Sequence, residues 1–163
     1  MLTSVYPASK FWSQFYPVVQ TFSLRVDTSL DALNQVLSWF EAFKNDPIPS
    51  SVWMKCQLAL VEGFTNTVRH AHKSLAADTP IDLELTLLPE GLEIRIWDQG
   101  APFDMMAFIE KIGDKVDEEA EGGRGIHLMK VIASHLSYTR LADGRNCLLL
   151  QKDYADELDA SRL

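Results

Sequence analysis

The stretch IDLELTLLPEGLEIRIWDQG, residues 81–100, decides the fold. Ile81, Leu83, Leu85 and Leu87 fall on one face of an extended segment, and Leu92, Ile94 and Ile96 repeat the pattern after the turn PEG. Side chains along a strand alternate between two faces, so this reads as an antiparallel hairpin laid over a core. A second hairpin is expected from SYTRL, ADG and RNCLLLQK, with Asp143-Gly144 supplying the positive φ angles of a tight turn.

Helical spacing fills the remainder. TFSLRV reads as a short strand, and Asp27, Thr28 and Ser29 are N-cap candidates for a helix carrying Leu30, Leu33, Leu37, Phe40 and Phe43. After NDPIPS, a second helix starts near Ser50 or Ser51 and places Trp53, Leu60, Phe64, Val68 and Ala71 on one apolar side. A short helix (MMAFIEKI), an acidic stretch and a glycine-opened helix (GGRGIHLMKVIASHL) follow the first hairpin. Strands and helices are thus grouped rather than strictly alternating. The expected architecture is α+β, a two-layer sandwich with helices on one face of a mixed, mainly antiparallel sheet.

The chain has 163 residues, 47% of them apolar, with 15 basic against 23 acidic side chains and a formal charge of -8. That describes one globular domain and excludes disorder as the main state. The acidic balance argues against tracking a nucleic-acid backbone, which needs clustered Lys and Arg. Cys56 and Cys147 lie far apart without CxxC spacing and read as reduced thiols. No run approaches the roughly 20 apolar residues of a membrane span, and the first residues lack the pattern of a secretion signal, so a cytoplasmic location is expected. Residues 1–20 form an aromatic extension with Phe11, Trp12, Phe15 and Tyr16, suited to packing on the parent domain or on a second copy. Residues 21–152 form the domain and 153–163 a tail.

Three clusters bear polar chemistry. Glu62, Asn66, Arg69 and His70 stand at i, i+4, i+7 and i+8 of the second helix and share a face. A carboxylate can take a proton from an attacking hydroxyl, and an amide oxygen suits Mg²⁺, although any solvated helix face shows such spacing. Asp98 and Gly100 follow a strand: the carboxylate can accept from an adenine amino group and the glycine leaves room for a flat base. An ordinary strand-ending turn uses the same residues. Gly122, Gly123, Arg124 and Gly125 open a helix, where several backbone N–H groups can face one anion. The spacing is not that of a P-loop. Gly63, inside the second helix, costs about 1 kcal/mol relative to Ala, for which the sequence offers no reason.

The order of these clusters, helix E-x-x-x-N, strand D-x-G and loop G-x-G around a hairpin, resembles the GHKL ATPases, which hold ATP in a Bergerat-type α/β sandwich beneath a lid. The resemblance spans about Thr21 to Lys152. The strings VEGFTNTVRHAH, IWDQGAPFD and GGRGIHLMK are similar to the N-, G1- and G2-boxes of the bacterial anti-sigma-factor serine/threonine kinases. It implies Glu62 as general base, Asn66 as Mg²⁺ ligand, Asp98 as the adenine acceptor with Gly100 beside the base, and Gly123 and Gly125 at the phosphates. Arg124, Arg69 and His70 are further contacts it implies. Pro102 stands where many GHKL relatives have another glycine, and Thr67 where a small Ala is common.

The resemblance implies ATP and Mg²⁺ as cofactors, an anti-sigma-factor antagonist as protein substrate and a sigma factor as partner; the aromatic extension leaves open a homodimer. Neither nucleic acid nor membrane is an expected partner. The acidic stretch between Asp104 and Glu121, with Asp114, Asp117, Glu118 and Glu119, reads as a solvated loop or a lid over Mg-ATP. Two other activities stay open on the same residues: a non-catalytic ATP-operated switch, and the detached ATP domain of a two-component histidine kinase.

Overall fold

The computed structural model describes residues 19–44, 48–112 and 123–154. Residues 1–18 and 155–163, which hold most of the expected extension and tail, lie outside the described residues, as do Gly122 and the acidic run 113–121. Five strands, β1 (Gln20–Asp27), β2 (Pro80–Leu88), β3 (Gly91–Asp98), β4 (His135–Arg140) and β5 (Asn146–Asp153), form one sheet of order β1-β2-β3-β5-β4. All four pairings are antiparallel, so the described sheet contains no parallel pair where a mixed one was expected. The two hairpins and the way β1 returns against β2 are enough to set this pattern.

Register follows the apolar alternation. Leu83 lies opposite Ile96, Leu85 opposite Ile94 and Leu87 opposite Leu92, all buried. Leu148 and Leu150 continue the face across β5. The opposite face carries charge: Arg25 forks onto Asp82 at 2.6 and 3.0 Å, and Arg95 reaches Glu84 and Glu93. Exposed pairs of this kind contribute about 0–1 kcal/mol each, so the sheet is held from its apolar side. In the second hairpin only Gly144 has positive φ, at 86°; Asp143 does not. Gly144 N–H donates to Leu141 C=O, and Leu141 N–H to Arg145 C=O, which makes a longer loop with one left-handed residue instead of the two expected.

Helices cover the apolar face. Ser29, of the three N-cap candidates, takes the Asp31 N–H at 3.1 Å and opens a 3-10 turn, Leu30–Ala32, that runs into α1 (Leu33–Glu41). The long helix α2 (Ser50–Asn66) buries Trp53, Cys56, Ala59, Leu60 and Phe64, and the Trp53 ring stacks on Phe40 at 4.2 Å. Burying the larger of these side chains, such as Leu60 and Phe64, contributes about 1.5–3 kcal/mol each. Two more helices, α3 (Met105–Ile112) and α4 (Gly123–Ile132), complete the layer. Among the described residues no helix is long and apolar enough to cross a membrane.

Gly63 acquires its reason here. A Cβ at this position would lie 2.9 Å from Ile96 Cδ1 and 3.0 Å from Leu148 Cδ2. The missing side chain lets α2 descend onto β3 and β5, which sets the height of everything α2 carries.

After Asn66 the helix widens into a π segment, Thr67–Ala71, closed by the His72 N–H to Thr67 C=O bond. The Thr67 hydroxyl meanwhile donates to Gly63 C=O. His72 leaves this segment buried and joins three parts of the chain. Its Nδ1 lies 2.7 Å from Thr28 Oγ1, and its Nε2 accepts the Gln99 N–H at 2.8 Å. The Thr28 hydroxyl donates its one proton to Thr79 C=O, so Nδ1 must be the donor and the ring is the neutral Nδ1–H tautomer. Burial lowers the His72 pKa below its ordinary 6.5, against the pull of Asp98.

Two outcomes are expected. Gly63→Ala should stay within about 1 kcal/mol of the parent, because helix propensity offsets the crowding. Ile96→Val removes the methyl that the new Cβ meets, so in urea titrations the double variant should exceed the sum of the singles by about 0.5 kcal/mol or more. Strict additivity would mean that helix and sheet do not touch there. For His72, the unfolded chain binds more protons than the folded one below pH 6.5, so stability falls as pH drops from 6.5 towards the lowered folded pKa. His72→Gln should flatten thermal unfolding profiles in that window, and parallel profiles would refute a neutral buried ring.

Candidate functional site

Three regions distant in sequence meet beside a cavity of about 400 Å³. The size suits a small-molecule site. Its walls are largely apolar, with Phe103, Phe108, Ile126, Met129 and Leu148, and Asn66, His70 and Asp98 bring polar atoms to it.

The first contact joins α2 to α4. A Cβ on Gly125 would collide with Glu62 Oε2 and lie 3.3 Å from Asn66 Nδ2. A larger residue would have to push the Glu62 carboxylate aside, and the Gly125 backbone lies close to both the carboxylate and the amide. Gly123 and Gly125 are both buried in the first turn of α4, whose N–H groups have no acceptor within the helix. That turn presents donors and the positive end of a helix dipole beside Asn66.

Asn66 Nδ2 is buried with no hydrogen-bond partner among the described residues. A buried amide left unsatisfied costs about 1–3 kcal/mol, so a ligand that satisfies it is favoured. Turning the amide over exchanges its nitrogen for its oxygen, and an amide oxygen is a hard ligand suited to Mg²⁺. The described residues contain no cluster of three His, Cys, Asp or Glu able to hold a metal. A cation here fits the pattern of one or two protein ligands shared with substrate phosphates.

The second contact fixes the end of β3. Asp98 is 1% exposed and faces the cavity from the inner side of the sheet. Its Oδ1 accepts from Gly100 N–H at 2.8 Å and Asn146 Nδ2 at 2.9 Å, and its Oδ2 accepts from the Tyr138 hydroxyl at 2.7 Å. Burial and the Asp98 carboxylate together push the Tyr138 pKa far up, which keeps that hydroxyl a donor. A carboxylate offers about four acceptor positions, so one remains on Oδ2 for a donor from a ligand. Arg140 braces the turn by donating to Gly100 C=O at 2.7 Å and Asn146 Oδ1 at 3.1 Å. Gly100 itself is pressed against Ala71, whose carbonyl oxygen would lie 2.7 Å from an added Cβ.

Of the residues selected from sequence, Glu62, Asn66 and Gly125 are brought together, and Asp98 lines the same cavity as Asn66, whereas Gly100 packs against Ala71 and does not line it. Gly123 starts α4. His70 reaches the cavity rim, whereas Arg69 is exposed and does not line it, because the π segment breaks the 3.6-residue spacing that had stacked both on Asn66. Arg124 is exposed on α4. Thr67 points back to its own helix, which leaves the Asn66 amide unobstructed. Pro102 lines the cavity, and Asp104 caps α3 by accepting the Ala107 N–H at 2.9 Å. Sequence reasoning missed Tyr138, Arg140, Asn146 and His72. A signal existed for the first three: they occupy inward positions in phase with Leu136, Leu148 and Leu150, where a polar side chain needs a partner.

Comparison with known proteins identifies the family and the fold. Residues 26–152 match the family described as the histidine kinase-like ATPase domain. The serine-protein kinase RsbW of Listeria monocytogenes is 35% identical over 81 residues, 47% of this chain and 51% of the relative. RsbW of Bacillus licheniformis is 31% identical over 81 residues, 47% of this chain and 50% of the relative. The matched segments thus span about half the length of these relatives. The crystal structure of the RsbU and RsbW domains of Rv1364c from Mycobacterium tuberculosis shares the fold, with a TM-score of 0.58 at 14% identity over 82% of this chain and 32% of that one. Since the family match covers most of the chain and every residue of the cavity, the chain belongs to the histidine kinase-like ATPase domain family.

Proposed function

We propose that this protein is an ATP-dependent serine/threonine protein kinase that acts as an anti-sigma regulator, binding a sigma factor and phosphorylating an antagonist protein. The observation that carries the reading is the contact of Gly125 with both Glu62 and Asn66, next to a cavity walled on its other side by Asp98. Phosphoryl transfer needs positioning and charge neutralisation more than covalent chemistry, and these residues supply the groups for both.

Asp98 accepts from the adenine amino group, and Gly100, packed on Ala71, shapes the turn that carries it. The first-turn amides of α4 at Gly123 and Gly125 donate to phosphate oxygens. Mg²⁺ bound at Asn66 would neutralise phosphate charge. Glu62 receives the proton of the acceptor hydroxyl as its oxygen bonds to the γ-phosphorus and the bond to the β-phosphate oxygen breaks, releasing ADP. The antagonist gains roughly two negative charges, which weakens its hold on the regulator. Arg124 and His70 are the further contacts that this reading assigns to the nucleotide. The names of the RsbW relatives support the serine specificity, and the partners follow the anti-sigma resemblance.

The test is label transfer from Mg-ATP to the cognate antagonist. Glu62→Gln should lower the transfer rate about 10²- to 10⁴-fold while nucleotide affinity changes little. Asn66→Ala should remove the Mg²⁺ dependence of nucleotide binding. Gly125→Ala, which forces the Glu62 carboxylate aside, should resemble Glu62→Gln. Binding without any phosphoprotein would identify a nucleotide-operated switch, and acid-labile phosphoprotein a histidine acceptor.

A further inference from the structure

We propose that His72 is a positioning residue for base selection, and that Thr28, which does not line the cavity, sets this role by fixing the tautomer of the imidazole ring. The inference rests on the reading of Asp98 as the acceptor for the base. It starts from one chain of hydrogen bonds: Gln99 N–H to His72 Nε2 at 2.8 Å, His72 Nδ1–H to Thr28 Oγ1 at 2.7 Å, and Thr28 O–H to Thr79 C=O at 2.6 Å. Every donor in it faces an acceptor. The direction is imposed from the far end, because a carbonyl can only accept.

Gln99 is the residue between Asp98 and Gly100. Three side-chain or turn donors hold the Asp98 carboxylate, Arg140 and Asn146 hold the Gly100 carbonyl of the turn, and His72 takes the backbone N–H of Gln99, the residue directly after Asp98. An ionised carboxylate only accepts hydrogen bonds, so it favours a base edge that presents an amino group, as adenine N6 does, and rejects one that presents a carbonyl, as guanine O6 does. That preference requires the free acceptor position to point one way. With an Nε2–H ring, two donors would face each other at Gln99, and the turn would have to move.

Removing the Thr28 hydroxyl releases the ring to take either tautomer. Thr28→Val therefore alters base preference without touching any group that lines the cavity. His72→Gln keeps an acceptor near the position of Nε2, and His72→Phe keeps the ring shape with no acceptor. A purely structural His72 would lower stability and weaken all nucleotides alike. A positioning His72 changes the ratio between adenine and guanine nucleotides.

The experiment uses the full chain with ADP and GDP in the presence of Mg²⁺, read by calorimetry, together with ¹⁵N spectra of the imidazole nitrogens. In the wild type, His72 should show the neutral Nδ1–H signature and ADP should bind more tightly. His72→Phe and Thr28→Val should reduce the ADP-to-GDP affinity ratio by about fivefold, the scale of one intramolecular hydrogen bond, and His72→Gln should restore most of it. Thr28→Val should also move the ¹⁵N signature towards the other tautomer. An Nε2–H ring in the wild type, or an unchanged ratio in both Thr28→Val and His72→Phe, overturns the proposal, and the spectra decide the matter even if His72→Phe does not fold. Asp98→Asn serves as the reference. If Asp98→Asn shifts the ratio and the other variants do not, only the His72 role fails; if Asp98→Asn leaves the ratio unchanged, base reading by Asp98 fails and the role of His72 fails with it.

Discussion

A buried carboxylate makes demands on everything around it. Asp98 lies at an inward position of β3 with almost no solvent contact, where an unpaired charge would cost several kcal/mol. Its donors come from three separate segments: the turn that follows it, Tyr138 on β4 and Asn146 on β5. Meeting that demand is what ties the second hairpin to the β3–α3 turn. Arg140 extends the same logic, since Asn146 must offer its oxygen to a donor once its amide is committed to Asp98. The cavity wall is thus a by-product of satisfying one charge, and its rigidity follows because each group in the network has its partners already assigned.

The opposite wall is governed by distance. Glu62 and Asn66 can face Gly125 only if α2 lies low on the sheet and α4 lies close to α2. Gly63 permits the first and Gly125 the second. Both glycines are unfavourable for helix formation taken alone, at about 1 kcal/mol each, and both stand where a methyl group would hold two layers apart. The π segment completes the geometry. An uninterrupted α-helix would carry Arg69 and His70 onto the face of Asn66; the wider turn instead sends Arg69 to solvent and turns His72 inward to Thr28 and Gln99. π turns commonly occur at functional sites for this reason: they change which side chain points where without ending the helix.

Local patterns were sufficient for the layers and for half of the site. Alternation in residues 81–97 marked both strands, and their register follows, because a one-residue slip would turn the apolar face of one strand outward. Asn66 and Glu62 were legible as neighbours at i and i+4, and the glycines of α4 as a helix entrance. What sequence spacing could not reach were relations set by sheet register and by departures from ideal geometry. Asn146 meets Asp98 because β3 and β5 pair with those two residues opposite each other, across 48 positions of chain. Arg69 left the face expected for it, and His72 turned inward, across a π turn whose extra residue a 3.6-residue wheel does not represent. The tight turn at Asp143-Gly144 was recognisable as a turn, but the number of residues in it depended on how β4 and β5 end.

Charge sets a final condition on the site. The chain carries a net charge of -8, and no Lys or Arg lines the described cavity. A nucleotide with several negative charges therefore enters an acidic protein and finds, on the proposed reading, backbone amides at the start of α4, a helix dipole worth about half a unit charge, and a carboxylate at Glu62 that opposes it. Those amides alone do not offset such a ligand. The orphaned amide of Asn66 is where the balance can be restored, since a divalent cation held there attracts phosphate and shields it from Glu62 at once. On the proposed reading, a dependence of nucleotide binding on a cation would follow from the protein's own charge distribution, and the choice of base and the neutralisation of phosphate would be separate problems. That reading gives the first to Asp98 and the second to Asn66, both of which line the cavity.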